Sequence, residues 1–122
     1  MQKPITPAIH GAFDYATSAA VAIVPHVFDF PKPATQLFST LAGGYTALSS
    51  VTDYPASLAR VVPFRTHGAA ECMIGFALPF LPRALGFEHH RAARNACYAL
   101  AAVTFVVAAL TQWDHPNERQ LD

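Results

Sequence analysis

Two pairs of residues in this chain have spacings that suggest chemistry. His10 and Asp14 are four positions apart, and so are His67 and Glu71. On an α-helix that spacing projects both members from one face within a turn. Asp53 and Asp114 each follow a later apolar stretch, at an end on the same side as the two pairs. The six residues together offer two imidazoles and four carboxylates from four helices. That inventory equals the ligand set of the di-iron and di-manganese carboxylate bundles, although in those proteins the Glu precedes its His by three positions. Here the acid follows its His by four, and Asp114 is out of register with Asp53 by several residues.

Three chemistries fit such a set. A polar network can lock two parts of the fold together, because buried charges persist only when paired. A transition-metal site can use His10, Asp14, Asp53, His67, Glu71 and Asp114 as ligands. Bis-imidazole haem can use His10 and His67 as axial ligands, with the carboxylates then needing another purpose. Other candidates are weaker. His89, His90, Arg91 and Arg94 read as a solvated cluster at a helix start, His115 either joins the first set or faces water, and His26 lies in a turn. Cys72 and Cys97 fall inside helical stretches and are expected to act as small apolar residues. Nucleophile-and-base arrangements, glycine-rich phosphate cradles and paired-cysteine zinc motifs are missing from the sequence, which argues against soluble-type enzymology.

The elements that must position these groups follow from where charge is absent. Only 13% of the 122 residues are charged, about half the share usual in soluble domains. Net charge is zero, which leaves no electrostatic footprint for nucleic acid. The eight Lys and Arg residues gather in gaps and tails around four apolar stretches, Pro7 to Val24, Pro33 to Val51, Pro63 to Leu81 and Ala92 to Leu110. Each approaches the roughly 20 residues that cross a bilayer. The expected fold class is all-α, an integral membrane four-helix bundle in a single domain over residues 1–122. Pro7, Pro33 and Pro63 suit helix starts, Pro25 and Pro82 helix ends, and Pro79 should kink the third helix. Ser39, Gly43 and Ala47 share one face of the second helix and predict its packing surface.

At an offset of 57, His10-Gly11-Ala12 aligns with His67-Gly68-Ala69, Asp14 with Glu71, Pro25 with Pro82 and Phe30 with Phe87. Two tandem two-helix units, about residues 5–55 and 62–116, are the simplest reading. Because each unit crosses twice, the units are parallel and both termini lie on one side. Tyr54 and Trp113 are then expected to mark that interface, and Phe30 and Phe87 the other. Basic residues divide four and four between the sides, so charge does not orient the chain. The short N-terminal segment, with no signal-peptide pattern, favours cytoplasmic termini.

With its opening His, an acid one turn later, and turns ending in Asp29-Phe30 and Gly86-Phe87, the chain resembles the SPW-repeat family of small bacterial membrane proteins. The central run Thr52-Asp53-Tyr54, Leu58-Ala59-Arg60-Val61-Val62-Pro63 and His67 is similar to that family's connection between units, while the Ser-Pro-Trp triplet is absent from both halves. The resemblance implies a multi-pass protein of the bacterial inner membrane and no established reaction. The resulting expectation is an accessory or interaction subunit in the lipid bilayer, working as a homo-oligomer or with another membrane protein. The alternative is a metal-binding or redox protein of the membrane.

Overall fold

The computed structural model describes residues 2–114, and within them the chain is all-helical. Helix α1 spans Pro7–Val27 and α2 spans Lys32–Ser50. The third rod is segmented: α3 covers Phe64–Ala77, a 3₁₀ turn covers Leu78–Phe80, and the single turn α4 covers Leu81–Ala84. Helix α5 spans Arg91–Leu110. The predicted break at Pro79 is thus a tightening to 3₁₀ geometry, since proline removes a backbone donor and crowds the preceding turn. Helix starts follow local chemistry. The Thr6 hydroxyl accepts from the Ile9 N–H at 3.3 Å with Pro7 behind it, Pro63 caps α3, and the His90 ring accepts from the Ala93 N–H at 3.2 Å to cap α5.

Pro25 and Pro82 do not close the helices. Each lies inside its last turn, and its carbonyl accepts the N–H five residues on, from Phe30 at 3.0 Å and from Phe87 at 2.8 Å. The residues before those donors, Asp29 (φ 48°) and Gly86 (φ 80°), adopt the left-handed conformation that such a C-terminal motif requires. The motif turns Phe30 and Phe87 inward, 8% and 3% exposed, so they are core residues and do not mark an interface.

Helix α1 packs on α2, and α3 packs on α5. One apolar core joins both halves, with Val21, Phe30, Ala34, Phe38 and Ala42 from the first and Leu78, Phe87, Cys97, Leu100 and Ala101 from the second. The expected packing face of α2 is not used. Ser39, Gly43 and Ala47 point outward, and α2 buries Ala34, Phe38, Ala42, Tyr45 and Ser49. Aromatic bulk on that face fills the space that small residues would otherwise close.

At the other end of the rods, two isolated parallel bridges replace strands. Ile5 N–H donates to Leu110 and Gln112 N–H donates to Ile5, while Val62 N–H donates to Val51 and Asp53 N–H to Val62. The first clip holds the entry of α1 beside the exit of α5, and the second holds the exit of α2 beside the entry of α3. Two glycines permit close approach there. A Cβ at Gly11 would meet the Ala56 methyl at 2.8 Å and the Tyr54 ring, and one at Gly68 would run into the Trp113 indole.

Polarity is inverted relative to a soluble bundle. The outward residues of α1 from Ala8 to Ile23 are Ala, Ile and Phe, and those of α3 from Ala69 to Phe80 are likewise uncharged. Of the titratable groups on these helices, His10, Asp14 and His67 are buried and Glu71 is partly buried, whereas Arg65 and His26, near helix ends, are exposed. Among the described residues, α5 alone is long and apolar enough to cross a membrane by length and composition, and most of that stretch is exposed.

Gly68→Ala should lower stability by roughly 1–3 kcal/mol through overpacking against a rigid indole. Gly43→Ala, with open space around its Cα, should instead add about 0.5–1 kcal/mol. Thermal unfolding of the two variants under one condition checks the contrast.

Candidate metal centre

The clips bring four of the six candidate residues together. One ligand atom each from His10, Asp14, His67 and Glu71 lies within 4.8 Å of the others. His10 Nε2 is 3.3 Å from Asp14 Oδ1 and 3.2 Å from Glu71 Oε2. His67 Nε2 is 3.0 Å from Asp14 Oδ2 and 2.8 Å from Glu71 Oε1. Each carboxylate therefore spans both imidazoles, one oxygen to each, in a closed ring of four side chains.

The remaining two candidates do not join. Asp114 is largely exposed and pairs with Arg65 on the surface. Asp53 belongs to the clip through its backbone and stands outside the four-residue group. In the clips Asp53 matches Gln112, not Asp114, because each residue's N–H donates to the paired strand residue, Val62 or Ile5. The carboxylate count thus falls from four to two, too few for a di-metal bundle site of the kind the inventory suggested. A porphyrin between His10 and His67 would have to displace both carboxylates from this arrangement. Their rings are 5.5 Å apart, centre to centre, and the two carboxylates occupy the space a porphyrin would need. His115 lies outside the described residues.

Two threonines that spacing alone did not single out fix the imidazoles. His10 Nδ1 is 3.0 Å from the Thr111 hydroxyl, and His67 Nδ1 is 2.6 Å from the Thr52 hydroxyl. Each hydroxyl also donates to the carbonyl four residues back, Thr111 to Val107 and Thr52 to Leu48, both at 2.6 Å. A hydroxyl has one proton. With that proton engaged, the oxygen can only accept, so Nδ1 of each imidazole carries the hydrogen and Nε2 faces the carboxylates. A bare Nε2 about 3 Å from carboxylate oxygens would set acceptor against acceptor. The centre therefore requires either protons in these contacts, carried by Nε2 or by a carboxyl group, or a metal cation between the four groups. Both arrangements neutralise two carboxylates.

Tyr54 also belongs to the site. Its ring packs on Gly11, and its hydroxyl donates to Asp14 Oδ2 at 3.0 Å. It is fully buried and so does not mark an interface. Burial raises its phenol above the usual range, which keeps the donating proton in place. Trp113 occupies the matching place over Gly68, but its indole N–H donates to the Ala108 carbonyl at 2.8 Å. Phe64 closes the end, with its ring centroid 4.7 Å from Trp113 and 5.1 Å from His10. The signal available in the sequence was a Thr ending each of two apolar stretches followed by an aromatic residue two positions on.

Compared with family models, curated proteins and solved structures, the chain matches none of them.

Thr52→Val and Thr111→Val should each cost roughly 1–3 kcal/mol, since a buried Nδ1–H loses its acceptor. Asp114→Asn, at an exposed pair, should change stability by no more than about 0.5 kcal/mol. Denaturant unfolding of the three variants distinguishes members of the centre from the excluded aspartate.

Proposed function

We propose that this chain is a small integral membrane protein that holds one divalent transition-metal ion between its two halves. The observation that carries the metal reading is the fixed tautomer. Two imidazoles, each with its Nδ1–H held by a threonine oxygen, direct Nε2 at the same point as two carboxylates. Ligating histidines characteristically donate their other N–H to such a partner, which sets ring orientation. Two nitrogens and two oxygens suit zinc, iron or manganese. Around a tetrahedral ion at about 2.0–2.1 Å, ligand atoms stand roughly 3.3 Å apart. The four imidazole–carboxylate contacts of 2.8 to 3.3 Å would open by a few tenths of an ångström, and the group, whose ligand atoms lie within 4.8 Å of one another, would contract across its wider spans.

The membrane reading draws support from the inverted polarity of α1 and α3 and from the apolar, exposed α5. Charged groups inside a bilayer face the bundle interior and pair with one another. Helix α1, with 21 residues, is about 31 Å long at 1.5 Å per residue, close to the ~30 Å hydrocarbon thickness. A two-unit repeat is supported by the matching clips, Schellman turns and glycine–aromatic contacts. Location in a bacterial inner membrane, as the resemblance implies, belongs to the same proposal.

A second reading is favoured by the contact lengths themselves, which suit hydrogen bonds from two imidazolium groups. There the cluster is a polar lock, and the chain serves as an accessory subunit in a homo-oligomer or with another membrane protein.

The protein purified in mild detergent should carry close to one zinc, iron or manganese per chain by elemental analysis, without a haem absorption band. Chelation should lower its melting temperature, and metal at about 100 times its Kd should restore roughly 2.7 kcal/mol. The double variant His10→Leu/Asp14→Leu should lose the metal and be at least as unstable as Asp14→Asn. The polar lock makes the opposite forecast. Under it no metal is retained or taken up, chelation changes nothing, and the double variant is more stable than Asp14→Asn because no lone buried partner remains.

A further inference from the structure

Beside the two carboxylates lies a cavity of about 30 Å³ between α1, α2, α3 and α5. Asp14 and Glu71 line it, and Phe13, Val103 and Val107 make an apolar wall. A space of this size holds about one or two water-sized molecules. Tyr45 also lines it, buried to 6% exposure, and its hydroxyl has no hydrogen-bond partner among the described residues. Native proteins seldom leave such a group unpaired. Two threonine hydroxyls also line the cavity, and of these Thr104 donates to the Leu100 carbonyl at 2.8 Å while Thr17 lies on α1.

We propose that this cavity is the binding position for a small uncharged ligand of the metal, two or three heavy atoms long, whose far atom accepts a hydrogen bond from Tyr45. The inference rests on the metal reading and names what that centre binds. Four protein ligands close a tetrahedral zinc site, whereas iron and manganese take higher coordination numbers and so have room for a further ligand. Charge selects the class. A divalent ion with two carboxylates and two neutral imidazoles is already neutral, so an added anion would be an unpaired buried charge. Access agrees, because Phe13 and Val103, about half exposed at 46% and 48%, offer no charged group at the rim. The Tyr45 hydroxyl has an uncommitted proton, so a ligand whose far atom is an acceptor completes it.

The test uses the full chain in detergent, loaded anaerobically with ferrous ion and titrated with nitric oxide as the probe. Iron content is measured separately by elemental analysis. The parent should take up about one iron and form a saturable ferrous nitrosyl, read by absorption and electron paramagnetic resonance. Tyr45→Phe should keep its iron and bind nitric oxide about tenfold more weakly, the loss of one hydrogen bond. Val103→Phe, which fills the cavity from its wall, should keep iron and lose the nitrosyl. Azide should compete poorly. A parent that holds iron without forming a nitrosyl, or a Tyr45→Phe variant with unchanged affinity, overturns the inference and leaves the metal reading standing. Loss of iron in Tyr45→Phe also overturns it, since the phenol would then be a metal ligand. A chain that takes up no ferrous ion overturns it as well, and one that takes up none of zinc, manganese or iron removes the metal reading beneath it.

Discussion

Everything at the polar end of this molecule depends on two hydrogen bonds, from His10 to Thr111 and from His67 to Thr52. Each threonine commits its proton to its own helix, so each imidazole must be a donor at Nδ1 and must turn Nε2 toward the carboxylates. The bonds also bind the helices pairwise in a cycle. Thr52 ends α2 and holds α3, while Thr111 ends α5 and holds α1. The backbone clips at Ile5 and Val62 set the register in which those contacts can form. Removing either clip would displace a threonine and release its histidine, so backbone pairing and site chemistry form one mechanical unit.

The same constraint explains the inverted polarity. Four ionisable side chains on α1 and α3 have partners only toward the centre, which forces the opposite faces outward, and those faces are apolar. Phe30 and Phe87 close the far end, where left-handed residues Asp29 and Gly86 let the chain fold back. Polar pairing therefore joins the halves at one end and apolar packing joins them at the other.

Much of this was legible in the sequence. Helical spacing placed each His and its acid on one face, and the repeat placed the two pairs opposite each other, so that His10, Asp14, His67 and Glu71 were expected to converge, as they do. Asp53 and Asp114 were misread because residue type was matched without strand register. A clip counts backbone positions, so Asp53 pairs in register with Gln112, and a displaced carboxylate at Asp114 falls on the surface beside Arg65. Thr52 and Thr111 were overlooked since a threonine closing a helix is common and its hydroxyl usually bonds locally. Here it does bond locally, and that local bond is what makes its oxygen an obligate acceptor. Ser39, Gly43 and Ala47 misled because small residues mark close approach only when nothing larger fills the neighbouring face, and Phe38 and Tyr45 do.

The two halves match in geometry but differ in chemistry, and the difference falls on the carboxylates. Asp14 is the shorter side chain and accepts a third hydrogen bond, from Tyr54. Glu71 is longer, is more exposed at its side chain (15% against 8%), and among the described residues accepts only from the two imidazoles. Trp113 stands where the equivalent phenol would be and directs its donor to the Ala108 carbonyl. One carboxylate is thus pinned and the other is free to change its binding mode. If the proposed metal sits among these groups, adding a ligand would require its donors to rearrange, and the side chain with the fewest restraints is Glu71. Both carboxylates border the cavity that Tyr45 lines, so under that proposal a shift of Glu71 would open space there, while Asp14 and the two threonine-held imidazoles would keep their positions.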